Sequence, residues 1–128
     1  LERKLPMYLH QALERLESGR EGLKLRLSGE IVTIPLPQIR YIESRQHTVI
    51  VHTSAREHTA YASLSELEEQ LEPKGFLRIH KSYLVNMAHL KKYQSQQAVL
   101  SDGTVLRVSA RSYGAQKEKY LLWKGRQG

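Results

Sequence analysis

The spacing of apolar residues changes at Leu23, and this change limits the folds that the chain can adopt. Before it, leucines recur every three or four positions between residues 5 and 16, until "SGREG" (residues 18–22) interrupts the helical pattern. From Leu23 the period is two, because "LKLRL" alternates leucine with Lys24 and Arg26. One amphipathic helix followed by half-buried strands predicts a chain whose core is supplied mostly by β-sheet.

Further strands follow at short intervals. A turn at residues 28–30 leads into "IVTI" (residues 31–34), and the segments "YIES" (residues 41–44) and "TVIVHT" (residues 48–53) have strand patterning. In "AVLSDGTVLRVSA" (residues 98–110), Asp102 and Gly103 separate two apolar runs, which predicts a hairpin with a type I′ turn.

Two other segments have helical patterning. Ser63 followed by Glu66 is a capping-box pattern, and the leucines behind it share one side of a segment that Pro73 and Gly75 close. The tail between Tyr113 and Trp123 is compatible with a short helix. The sequence therefore predicts a mainly β fold with one small central helix and a helix at either end.

The net positive charge of the chain limits the classes of partner that we expect it to bind. The 128 residues suffice for one domain, and a net charge of +7 favours polyanions such as nucleic acid or an anionic membrane surface. The absence of cysteine excludes disulfides and thiolate sites, and no apolar run approaches the ~18 residues that span a bilayer. We expect a soluble, cytoplasmic protein.

Several cationic side chains lie at strand ends and in loops. Arg45 and His47 fall in one turn, Arg78, His80 and Lys81 precede another strand, and a further cation, in position 111, follows the last hairpin. Taken singly, each fits a solvated sheet edge on which charges block strand association. Taken together, they favour a binding surface built from loops.

Catalysis and metal binding find little support in the sequence. The six histidines do not have metal-ligand spacing, and paired carboxylates, glycine-rich phosphate loops and nucleophile motifs are missing. His47, His80 and Lys81 leave acid–base cleavage of a phosphodiester as a minor alternative. His52 is expected to be a half-buried strand residue. We predict a protein that is not an enzyme and needs no metal or cofactor.

The order of five segments resembles the LytTR DNA-binding domain, an output module of bacterial response regulators. The segments are "IPLPQIRYIES" (residues 34–44), "TVIVHT", "SLSELEEQL" (residues 63–71), "GFLRIHKSYLVN" (residues 75–86) and "LSDGTVLRVSAR" (residues 100–111). The resemblance implies a short-stranded β fold that binds duplex DNA. It also implies that paired protomers insert loops into successive major grooves at promoter direct repeats and bend the DNA.

The resemblance implies a set of DNA-binding residues: Arg45, His47, Arg78, His80, Lys81, Ser82, Ser109 and Arg111. Among them Arg111 would be the principal base reader and His47 the second, since a guanidinium can bond guanine O6 and N7 together. Tyr83 and Asn86 would be scaffold, with Asn86 closing its strand through a bond to backbone.

The same resemblance implies an organisation for the longer protein. Residues 1–22 would be a linker helix and the tail of a receiver domain, residues 23–123 the DNA-binding domain, and residues 124–128 a basic tail. A receiver domain on the same chain or a cognate histidine kinase upstream would supply the signal of a two-component system, and the protein would act as a homodimer on DNA. The alternatives are a basic protein-interaction module and a non-specific nucleic-acid binder.

Overall fold

The computed structural model describes residues 22–27 and 29–127, and the helix expected between residues 5 and 16 lies outside them. In the described part, strands dominate: Gly22–Leu27 (β1), Glu30–Pro35 (β2), Ile39–Arg45 (β3), Thr48–Thr53 (β4), Glu57–Tyr61 (β5), Phe76–His80 (β6), Tyr83–Asn86 (β7), Leu90–Tyr93 (β8), Gln97–Leu100 (β9) and Val105–Arg107 (β10). The helices are Leu64–Leu71 (α1) and Ala110–Gln127 (α2), and short 3-10 turns cover Leu36–Gln38, Glu72–Lys74 and Met87–His89. The expected mainly β fold class is confirmed.

The strands form three antiparallel sheets. β1 and β2 pair as a hairpin, β10, β9 and β8 form a three-stranded sheet, and a five-stranded sheet has the order β5-β4-β3-β7-β6. β4 lies inside the five-stranded sheet, and all but its first residue are buried. The large sheet is therefore the centre of the described domain.

The first core lies between the β1–β2 hairpin, α1 and one face of the central sheet. From the sheet it takes Ile42, Val51 and Leu84, and from α1 it takes the three leucines whose helical spacing predicted an apolar face. These side chains are at most 4 % exposed. Burial of this apolar area is the main force that holds the hairpin and α1 against the sheet.

The second core covers the opposite face of the central sheet. Strand alternation places Tyr41 and Val85 on this face, where they pack with residues of the three-stranded sheet and with Tyr120 of α2. Tyr93 of β8 meets the rings of Tyr113 and Tyr120 at 5.1 and 5.4 Å, in edge-to-face geometry. These aromatic contacts hold α2 along the three-stranded sheet.

α2 is longer than the short helix expected between Tyr113 and Trp123. It runs for 18 residues and begins at Ala110, since the Ser109 hydroxyl oxygen accepts a hydrogen bond from the Ser112 N–H at 3.0 Å. A cap of this kind satisfies one of the free N–H groups of the first turn, which lets the helix begin ahead of its apolar residues.

Two local predictions need correction. The hairpin at Asp102 and Gly103 is present, but a type I′ turn requires positive φ at both residues, and only Gly103 has it, at +96°. Three residues form the loop, and the Gly103 N–H donates to the Leu100 carbonyl at 2.9 Å. Ser63 does precede α1 as its N-cap residue, but its side chain makes no capping hydrogen bond.

His52 and Asn86 have the scaffold positions that the sequence favoured. His52 is 7 % exposed, stacks on Tyr41 with ring centroids 4.2 Å apart, and has Glu43 and Glu57 carboxylate oxygens 3.1 and 3.2 Å from its two ring nitrogens. Asn86 is 5 % exposed and bonds to backbone groups. Both side chains therefore stabilise the central sheet from inside.

Candidate nucleic-acid interface

The first turn of the candidate surface joins β3 to β4. Arg45 and Thr48 face each other across the turn, and the Thr48 hydroxyl donates to the Arg45 carbonyl at 2.8 Å. Among the described residues, Gln46 is the one non-glycine residue with positive φ, at +58°. This tight reversal leaves the side chains of Arg45 and His47 exposed, with Arg45 3.2 Å from the Glu43 carboxylate.

The second turn joins β6 to β7. Its strands shift register between Arg78 and His80, so that His80 pairs with Tyr83 and the reversal is made by Lys81 and Ser82. In an uninterrupted strand, alternation would place Arg78 and His80 on one face and Lys81 on the other, and a turn around His80 and Lys81 would remove this conflict. The bulge and the turn interrupt the alternation of the strand, and Lys81 is exposed at the tip of the turn.

The third segment is the junction of β10 and α2. Ser109 caps the helix, and Arg111 is exposed in the first helical turn. Arg107 was not among the residues singled out from the sequence, yet it is exposed two positions before Ser109. The signal was present in the alternation of this segment, because Arg107 stands between Leu106 and Val108, which are buried, and therefore faces outward.

Two backbone hydrogen bonds bring the three segments to one edge. The Ser44 N–H donates to the Ser82 carbonyl at 2.8 Å, which joins the first turn to the second. The Ser109 N–H donates to the Ile79 carbonyl at 3.0 Å, which joins β6, just before the second turn, to the start of α2. The eight residues expected to bind DNA therefore lie on three neighbouring segments.

The His80 ring carries its proton on one defined nitrogen. Its Nδ1 accepts a hydrogen bond from the Ser82 N–H at 3.1 Å, so the neutral ring donates through Nε2. Burial, and then the positive charges of Arg107, Lys81 and Arg78, lower the pKa of His80 below its usual value. The site therefore favours an uncharged imidazole that can donate one hydrogen bond to a ligand.

The lowered pKa of His80 predicts a stability change with pH. The unfolded chain takes up a proton at His80 near pH ~6.5, before the folded protein does, so the stabilisation is complete above that pH. It is lost as the pH falls through the lower, folded-state pKa. Urea unfolding at about pH 7.5 and about pH 5.5 should show a larger loss for the wild type than for His80→Gln. Equal losses would mean that His80 does not contribute.

Arg78 differs from the other cations of the surface. Its guanidinium donates to the carbonyls of His80 and Lys81 and to the Glu68 carboxylate of α1, at 2.6 to 2.8 Å. Its side chain is 17 % exposed, against 64 % for Arg45. Arg78 therefore lies beneath the second turn, with each of its nitrogens bonded within the protein.

Two concave sites on the described domain say less about its function than the place where the three segments meet. A recess of about 370 Å³ beside His47 is lined by Arg78, by residues of the first turn and by Ser63 and Ser65. A larger groove of about 730 Å³, between Pro37, Pro73 and Trp123, contains none of the eight expected residues. Over residues 22–27 and 29–127, no cluster of side chains could hold a metal ion, and neither helix is long and apolar enough to cross a membrane.

Comparison with known proteins gives concordant matches. A family model described as the LytTr DNA-binding domain matches residues 29–120. The LytTr DNA-binding domain of a methyl-accepting/DNA response regulator from Bacillus cereus superposes with a TM-score of 0.65 and 26 % identity, covering 80 % of this chain and 98 % of that domain.

Curated relatives are longer than this chain. The sensory transduction protein LytT of Bacillus subtilis is 28 % identical over 109 residues, which are 81 % of this chain and 45 % of LytT. The transcriptional regulatory protein LytR of Staphylococcus aureus is 25 % identical over 69 % of this chain and 38 % of LytR. The CO-responsive transcriptional regulator RcoM of Rhodospirillum rubrum is 36 % identical over 58 residues, 45 % of this chain and 25 % of RcoM. The chain thus spans less than half the length of each of these three relatives.

Proposed function

Because this chain belongs to the LytTR DNA-binding domain family, we propose that it is the part of a bacterial transcription regulator that recognises a specific sequence in duplex DNA. The observation that carries the proposal is the joining of two turns and the start of α2, at one end of the central sheet, by the Ser44–Ser82 and Ser109–Ile79 hydrogen bonds. The net charge of +7 supports it, since a positive field attracts a polyanion.

The exposed side chains divide into base readers and phosphate contacts. Arg111 reads guanine through two parallel hydrogen bonds, and His47 reads a second base edge. Arg45, Lys81 and Arg107 neutralise phosphates, which positions the protein without conveying sequence. The remaining contacts are single hydrogen bonds, made by the His80 Nε2–H and by the hydroxyls of Ser82 and Ser109.

The proposed mode of binding is insertion of turns into successive major grooves. The β3–β4 and β6–β7 turns lie side by side because β3 pairs with β7. The ends of these two paired strands form a narrow projection, and the major groove is wide enough for a two-stranded β-ribbon. Two protomers bound as a homodimer at promoter direct repeats would occupy adjacent helical turns and bend the DNA between them.

For the longer protein we propose the organisation of a response regulator. Residues 1–22 are the linker that follows a receiver domain, residues 23–123 bind DNA, and residues 124–128 add a basic tail. The signal comes from that receiver domain or from a cognate histidine kinase upstream. The greater length of the LytT and LytR relatives supports a further domain. A regulator of this kind meets its DNA in the cytoplasm, and its action requires neither catalysis nor a cofactor.

Selection from random duplexes tests the function directly. The purified protein is mixed with a pool of random duplexes, the bound fraction is sequenced, and the affinity of the enriched duplex is followed by fluorescence anisotropy at several salt concentrations. We expect a motif in two repeats about one helical turn apart. We also expect log K to fall with log salt at a slope of about −0.9 for each neutralised phosphate.

Other outcomes identify the alternatives. Salt-dependent binding without an enriched motif would indicate a non-specific nucleic-acid binder. Absence of duplex binding, together with a protein partner whose affinity is insensitive to salt, would indicate a basic interaction module and contradict the proposal.

A further inference from the structure

The guanidinium of Arg78 lies beneath the β6–β7 turn rather than on its surface. We infer that Arg78 is a positioning residue, which holds the turn in the conformation that reads DNA, and that it makes no phosphate contact itself. The inference rests on the proposed function, and it concerns the orientation of residues 80–82.

The hydrogen bonds of Arg78 leave no nitrogen without a partner in the protein. Its Nε donates to the His80 carbonyl at 2.8 Å, one terminal nitrogen donates to the Lys81 carbonyl at 2.6 Å, and the other to the Glu68 carboxylate at 2.8 Å. Turning the side chain toward a phosphate would leave these acceptors unpaired, and an unpaired carboxylate beside DNA is especially unfavourable. The geometry therefore opposes rotation of the guanidinium toward a phosphate, because that rotation would break all three bonds.

The two carbonyl acceptors belong to the residues that the turn presents. The Ser82 N–H adds a third constraint, since it bonds to the His80 ring at 3.1 Å. The turn is thus fixed through the backbone of His80 and Lys81 and through the ring of His80. Fixing a turn before binding lowers the entropic cost of ordering it on DNA, which raises affinity for the correct sequence.

Glu68 extends this constraint to the helix. It lies on α1, and its side chain is 28 % exposed. A free carboxylate close to the DNA surface would repel phosphates, whereas a carboxylate bonded to Arg78 connects α1 to the turn. Glu68 therefore acts through Arg78, and the two residues form one unit.

Arg107 is the matched control for Arg78. Both are arginines near His80, since both lower its pKa through their charge, but Arg107 is exposed. Removing an exposed phosphate contact lowers the salt slope by about 0.9 and weakens all duplexes alike. Removing a positioning residue leaves the salt slope unchanged and weakens the correct sequence most.

The test compares Arg78→Gln, Glu68→Ala and Arg107→Gln. Affinities are measured between about 50 and 200 mM salt for a duplex selected by the wild type and for a scrambled duplex of equal composition. For Arg78→Gln we expect about tenfold weaker binding to the selected duplex, corresponding to the ordering of one or two side chains, with little change for the scrambled duplex. The salt slope should equal that of the wild type.

Glu68→Ala keeps the test decisive if Arg78→Gln fails to fold, as judged by urea unfolding. Simple electrostatics predicts that loss of an acidic residue tightens binding to both duplexes. A positioning role predicts that Glu68→Ala binds the selected duplex more weakly and the scrambled duplex equally well. Where Arg78→Gln does fold, the double variant should lose less affinity than the sum of the two single losses.

Two results would overturn the inference. One is a salt slope for Arg78→Gln reduced by about 0.9, as for Arg107→Gln. The other is tighter binding of both duplexes by Glu68→Ala. Failure of the proposed function is seen separately, because the wild type itself would then show no salt-dependent binding to duplex DNA.

Discussion

Replacing Asn86 by alanine is expected to lower the free energy of unfolding by about 3 kcal/mol. The side chain is 5 % exposed, and its amide nitrogen donates to the carbonyls of Leu36 and Ile39 at 3.2 and 2.9 Å. Its amide oxygen accepts from the Ala88 N–H at 3.0 Å. Alanine would leave these backbone groups without their partner, including the Ile39 carbonyl, whose bond to Asn86 is buried, and this loss adds to the cost of the small cavity.

Urea unfolding followed by circular dichroism measures the effect. Gln94→Ala is a suitable control, because this amide side chain is exposed and its replacement should change stability by less than about 0.5 kcal/mol. If Asn86→Ala costs as little stability as Gln94→Ala, water must satisfy the backbone groups that Asn86 bonds in the wild type. Asn86 would then not be the anchor between β7 and the segment at residues 36–39.

Replacing Arg111 by alanine is expected to weaken binding to the selected duplex by about 1 to 3 kcal/mol and to relax the preference at one base pair. Arg111 is exposed in the first turn of α2, next to the hydrogen bond between Ser109 and Ile79 that fixes this helix against β6. A side chain on a fixed helical turn can direct two parallel donors at guanine O6 and N7.

Arg111→Lys separates base reading from simple attraction. Lysine keeps the charge but cannot reproduce the planar pair of donors, so the preference at that base pair should weaken while the salt slope remains close to that of the wild type. Anisotropy titrations with the selected duplex and with variants at each position give both quantities. Equal weakening of selected and random duplexes by Arg111→Ala would assign Arg111 to the phosphate backbone.

Local sequence patterns predicted most of the elements of the fold. Alternation in "LKLRL" and "TVIVHT" located β1 and β4, and leucines at helical spacing located α1, because each pattern depends only on which face of one element is buried. The exact turn at Asp102 and Gly103 was not predictable in this way, since one glycine with positive φ serves both the expected turn and the observed three-residue loop.

The sequence proposed the residues of the candidate site, with the exception of Arg107, but it could not predict how they are arranged. Its members lie in turns that are recognisable along the chain, whereas their proximity depends on the hydrogen bonds of Ser82 and Ile79 with distant segments. The partners of Arg78 show the same limit. Glu68 is ten residues away on another element. The sequence alone does not distinguish an arginine that is bonded to such a carboxylate from an arginine that faces DNA.

The hydrogen bonds that join the two turns and the start of α2 use main-chain atoms, and this has a consequence for how the proposed regulator can acquire a new target. An amide and a carbonyl are present whatever side chain a residue carries, so the Ser44–Ser82 and Ser109–Ile79 bonds would survive exchange of the outward-facing groups at positions 47, 81 and 111. Both cores lie elsewhere, on the two faces of the central sheet. The arrangement of the backbone can therefore be kept while the proposed base-reading side chains are exchanged, which makes positions 47 and 111 the natural place to build a library with altered operator preference.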